Sequence, residues 1–127
     1  MPIFEPPTGL ALIKHFSMSE ALTWGDPQRD RAFKERVLNA SGLTSADARG
    51  YKWFAFTIQI HLDETLTHTR GHKPDIENYP KLIVDAFTDT LYSHDNLDFV
   101  KAVQVEGDWV PYKQHGTEVW IWGKPLA

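Results

Sequence analysis

The sequence predicts an α+β fold: a small mixed sheet with helices packed on one side. Three observations carry that expectation. Residues 51–62 alternate apolar and polar side chains with period two, two segments carry helix start signals and helical spacing, and two more strand-like runs follow the second helix. At 127 residues the chain suits one domain, 1–127, with a single core.

Each element has a local reason. Pro2, Pro6, Pro7 and Gly9 break regular structure at the start, and Gly9–Phe16 reads as a strand. Asp26-Pro27 opens a helix over about Pro27–Ala40, because a short acceptor side chain caps a helix whose first position suits proline. Phe33, Val37 and Ala40 fall on its buried face, Gly42 lies just past its end, and Arg29, Arg31, Lys34 and Arg36 occupy the opposite side. Such a basic side is commonly a solvated surface; the alternative is a phosphate-binding face.

From Tyr51 to Leu62, Phe54, Phe56, Ile58, Ile60 and Leu62 point one way, and Trp53, Thr57, Gln59 and His61 the other. Asp63–His72 is a polar loop. A second helix is expected over about Asn78 to Thr88 or Asp89, with Tyr79, Ile83, Ala86 and Phe87 as its apolar stripe and Pro80 in its first turn. Strands at about Asp98–Glu106 and Glu118–Gly123 complete the set, joined by a loop from Trp109 to Gly116. The order of strands in the sheet is not readable from these patterns.

Composition narrows the function classes. There is no cysteine, so disulfides, thiolate metal sites and cysteine nucleophiles are excluded, and any metal is held by oxygen or imidazole. No apolar run approaches the roughly 20 residues of a membrane span, and the N-terminus does not read as a secretory signal, so a soluble cytoplasmic protein without membrane partners is expected. Lysine plus arginine number 13 against 17 aspartates and glutamates, a net charge of −4, which argues mildly against a nucleic-acid binder. The acids are unevenly spread: ten lie between Asp63 and Asp108, beside only Arg70, Lys73, Lys81 and Lys101. That crowding is repulsive unless cations relieve it.

The densest chemistry is Lys73-Pro74-Asp75-Ile76-Glu77-Asn78-Tyr79-Pro80-Lys81, followed by Asp85 and by His94-Asp95-Asn96. Asp75 and Glu77 are two apart in a segment still extended, so their carboxylates face one point. Paired carboxylates with room for water suit a hard divalent ion such as Mg²⁺. Lys81 falls four residues after Glu77 and four before Asp85, which aligns all three if the helix includes them. Capping and surface pairing explain the same spacing without a site. Asp95 joins the pair if the chain reverses along the helix after Asp89, or if it completes the site of a neighbouring subunit; the reversal is expected.

Residues 73–87, K-P-D-I-E-N-Y-P-K-L-I-V-D-A-F, resemble the motif of the RusA family of Holliday junction resolvases, basic-P-D-x-D-N-x-x-K followed by D-A-L and, about ten residues later, a pair of aspartates. Asp75 matches the first motif aspartate, Glu77 the second, Asn78 the asparagine, Lys81 the lysine and Asp85 the later aspartate. His94-Asp95 stands where the family has its acidic pair. The likeness covers roughly residues 50–123, with the central stretch the specific part, and Pro6-Pro7 loosely resembles the family's N-terminal proline pair. Three departures stand out: Glu77 is one methylene longer than aspartate, His94 replaces an acid, and the basic run before the motif is reduced to Arg70 and Lys73.

The resemblance implies a RusA-like homodimer that binds branched DNA and cuts its phosphodiesters with Mg²⁺ or Mn²⁺ during recombination and repair. Asp75, Glu77 and Asp95 would then be the metal ligands, and Lys81 would act on the phosphate. Asn78 and Asp85 would orient Lys81 and the loop, and Arg70, Lys73, Arg29, Arg31 and Lys34 would contact DNA. Two rivals remain: a non-cleaving DNA binder on the same scaffold, and a histidine-based metal hydrolase using His61, His68 and His72. Trp24, beside Gly25 and the basic helix, is a candidate for stacking on a base.

Overall fold

A computed structural model describes residues 9–23, 25–63 and 76–126. Four strands, β1 (Ala11–Met18), β2 (Tyr51–Asp63), β3 (Val100–Val110) and β4 (Gly116–Pro125), form one mixed sheet in the order β1-β4-β2-β3. β4 is antiparallel to both β1 and β2, whereas β2 and β3 run parallel from Phe54 opposite Val100 to Asp63 opposite Val110. Among the described residues two α-helices, α1 (Pro27–Ser41) and α2 (Pro80–Ala86), accompany the sheet in a mixed α+β fold. Among the described residues no helix is long and apolar enough to cross a membrane.

The period-two reading of β2 holds in space. Phe54, Phe56, Ile58, Ile60 and Leu62 enter one core with Phe33 and Val37 of α1 and Leu82, Ile83, Val84 and Ala86 of α2. Phe87 is fully buried in it, with ring centroids 5.8 Å from Phe56 and 6.4 Å from Phe16. Burying side chains of this size stabilises the fold by roughly 1.5–3 kcal/mol each before chain entropy is counted. Thr57, Gln59 and His61 project from the other side of the sheet, where their partners are Trp122, Glu106, Asp108 and Glu118.

α1 begins and ends where its caps put it. The Asp26 carboxylate accepts from the Gln28 and Arg29 amides at 3.0 and 3.1 Å, Pro27 takes the first position, and Gly42 closes the helix with φ 67°. A left-handed closing residue of this kind favours glycine.

Several boundaries differ from expectation, among them β4, which spans Gly116–Pro125 rather than Glu118–Gly123. The second helix is not Asn78 to Thr88 or Asp89: Ile76–Asn78 form a separate 3₁₀ turn, and regular helix spans only Pro80–Ala86. Proline at the first position fits the start. At the far end the Thr88 amide bonds the Asp85 carbonyl in a tighter i+3 step, and Asp89 adopts φ 71°, which an α-helix does not accommodate. Seven residues make no stable helix in isolation, so the packing of five buried apolar residues, Pro80, Leu82, Ile83, Val84 and Ala86, holds it.

β3 starts at Val100 rather than Asp98, because the Asn96 carbonyl accepts from the Phe99 and Val100 amides and its side chain from the Asp98 amide, forming a turn. It runs on to Val110, since its pairing with β2 continues that far, and the Trp109–Gly116 loop shrinks to Pro111–His115 around a 3₁₀ turn at Tyr112–Gln114. β1 is displaced by two residues, to Ala11–Met18.

Candidate functional site

The motif lies on the connection between the parallel strands β2 and β3. Asp75, Lys73 and Arg70 fall outside the described residues, as do His68, His72 and Trp24. From Ile76 onward the placement is defined. The Ile76 side chain lies over Gly107 of β3, where a Cβ would collide with its Cδ1, so the missing side chain at Gly107 lets the turn that carries Glu77 sit against the sheet. Glu77 and Lys81 are exposed and Asn78 is half-buried. Neither Glu77 nor Lys81 has an ion-pair partner among the described residues.

The chain folds back after Asp89, the direction of the expected reversal. The Asp89 amide donates to the Tyr92 carbonyl at 2.6 Å, Thr88 and Tyr92 form a bridge, and the Tyr92 hydroxyl returns to α2 to donate to the Val84 carbonyl. Burial, together with the negative charges of Asp95 and Asp85, pushes the Tyr92 hydroxyl far above the usual tyrosine range. Asp95 and Asp85 are thus both electrostatic neighbours of one buried hydroxyl beside α2. Oxygen donors of this kind suit Mg²⁺, but among the described residues no group of three or more histidine, aspartate or glutamate side chains is placed to hold a metal ion.

Asp85 has a partner that spacing does not reveal. Its carboxylate accepts from Lys34 Nζ of α1 at 2.9 Å, so in this arrangement it tethers the two helices and does not pair with Lys81, four residues away. Other cations on α1 are similarly engaged. Arg29 donates to the Thr23 carbonyl at 2.6 Å and pairs with Asp30 at 3.4 Å, and Arg36 forms a two-pronged pair with Glu20 at 2.6 and 2.7 Å. The Gly25 amide holds the Asp30 carboxyl below its usual range, with Arg29 adding to the effect. Arg31 is exposed and has no partner among the described residues.

A second constellation, on the face of the sheet away from the helices, was not anticipated. His15 Nε2 and His61 Nε2 lie 3.1 and 3.2 Å from the two carboxylate oxygens of Glu118, and His61 Nδ1 lies 2.8 Å from Asp108, so one chain of polar contacts crosses all four strands. Burial raises the Glu118 carboxyl, but the bonds from His15 and His61 outweigh it and leave the group below its usual range. His15 also stacks on Trp120, with centroids 4.5 Å apart. His61, the described member of the histidine trio, is therefore engaged by two carboxylates. The available sequence signal was its polar position in an alternating strand; which acids would meet it depends on strand order.

The chain matches no protein-family model, no curated protein and no solved structure.

Proposed function

We propose that this protein is a metal-dependent endodeoxyribonuclease of RusA type, acting on Holliday junctions or related branched DNA as a homodimer. What supports this reading is the 73–87 motif, carried on the connection between two parallel strands, with the chain after Asp89 turning back to that same helix. Asp75, Glu77 and Asp95 would hold the Mg²⁺, whose role when bound is to acidify a water and offset charge on the phosphate. Lys81, exposed and without a partner among the described residues, is suited to meet the scissile phosphate, where charge grows during cleavage. Asp85, already bonded to Lys34, would fix the α1–α2 pair that supports Lys81.

A second reading is a scaffold that binds branched DNA without cutting it. Glu77 favours it, because its longer side chain displaces the carboxylate and Mg²⁺ tolerates little departure from octahedral geometry. The deciding assay incubates a synthetic four-way junction with wild type and Asp75→Asn in Mg²⁺ and in Mn²⁺. Paired incisions by wild type, reduced at least about a hundredfold in the variant, are expected for loss of a metal ligand. Equal cleavage by the two proteins refutes the metal assignment, and junction binding that survives EDTA with no cleavage in either metal selects the second reading.

A further inference from the structure

Beside the His15–Glu118–His61–Asp108 chain, where β1 ends and β4 begins, a cavity of about 360 Å³ is lined by Ser17, Ser19, Lys113, Gln114 and His115 together with His61 and Glu118. Its acceptors are largely spent. Both Glu118 oxygens are engaged by the two imidazoles. His115 Nδ1 accepts from the Asp63 amide at 2.9 Å, which fixes the ring's proton on Nε2 and leaves that nitrogen as a donor. Lys113 Nζ and the Ser17 and Ser19 hydroxyls have no partner among the described residues. What remains on offer is one cation, an N–H, two hydroxyls and the Gln114 carboxamide, whose donors together complement a tetrahedral oxyanion.

The cavity and the motif occupy the same end of the sheet. His61 pairs with Asp108, the residue after Gly107, and Gly107 is where Ile76 rests, on the opposite side. We infer that this cavity binds a phosphate group of a nucleic-acid strand, as a contact separate from the carboxylate motif. The inference rests on the DNA reading above for the source of the phosphate, and on the cavity alone for its binding. The contact is electrostatic and carries no sequence preference.

Inorganic phosphate is the first probe, followed by long-range ¹H–¹⁵N NMR of the histidine rings. A saturable shift of His115, absent from a sodium chloride titration at equal ionic strength and weakened about tenfold by Lys113→Glu, is expected for loss of a charge-assisted contact. Lys113 is exposed in a short turn, and Lys113→Ala serves as the milder variant. A shift that merely follows ionic strength, or one untouched by both variants, overturns the site. The second probe is a four-way junction: the logarithmic salt slope of its affinity should fall by about 1 in Lys113→Glu, and an unchanged affinity and slope overturns the nucleic-acid source. Asp75→Asn should retain the phosphate shift while losing cleavage. If wild type neither binds nor cuts junctions, the nuclease reading fails while the phosphate titration still decides the cavity.

Discussion

Replacing Tyr92 with phenylalanine should reverse the order of stability between neutral and alkaline solution. At pH 8 the variant loses one buried hydrogen bond, to the Val84 carbonyl, worth about 1 kcal/mol. That carbonyl keeps a second donor, the Phe87 amide at 3.3 Å, so it is not orphaned. Above pH 10 this advantage of the wild type shrinks and then reverses. Burial, then the charges of Asp95 and Asp85, raises the folded-state value of the hydroxyl far above the ordinary 10.0, so the unfolded chain releases this proton and the folded one retains it. The contribution is whole below pH 10 and declines above it by about 1.4 kcal/mol per pH unit. The two effects cancel between pH 10 and 11, beyond which Tyr92→Phe is the more stable protein. Urea unfolding followed by tryptophan fluorescence, on both proteins at pH 8, 10 and 11, measures the difference with every other tyrosine held in common. A gap that stays constant across the three pH values would show that Tyr92 does not sit in a buried, negatively charged environment, and with it would go the placement of Asp95 beside α2.

The glycines offer a contrast. Gly116→Ala forces a Cβ into the Met18 carbonyl at φ 152°, so a loss of at least about 2 kcal/mol is expected, whereas Gly107→Ala meets only the tip of Ile76 and should cost under about 1 kcal/mol; equal denaturation midpoints for the two would refute this. Asp26→Ala removes the acceptor for two amides of α1 and should cost about 1 kcal/mol without altering the urea m-value, a loss that Asp26→Ser should largely restore.

Local chemistry made some elements legible and topology hid others. The Asp26-Pro27 start and the Gly42 stop are interactions within a few residues, so α1 was readable to within one residue. The alternation in β2 likewise encodes which face meets the core. By contrast, Asp85 lies 51 residues from Lys34, and the His61–Glu118 contact spans 57, so neither follows from spacing along an element. The second helix is shorter than its apolar stripe suggests, because the stripe runs on to Phe87 whereas regular helix stops at Ala86, ahead of the left-handed Asp89. Phe87 belongs to the core although it lies beyond the last helical residue. Of the proposed site, the order of residues was visible, and so was the need for a reversal after Asp89; what the turned chain packs against was not.

The sheet is closed by its latest strand. β4 is fourth in chain order yet occupies an interior lane, flanked by β1 on one side and β2 on the other. A fragment ending before Gly116 would hold β1 apart from the β2–β3 pair, with two backbone edges exposed and nothing between them. Assembly therefore has to wait for residues 116–125, and a peptide of that sequence supplied separately to such a fragment should be captured between the two waiting edges.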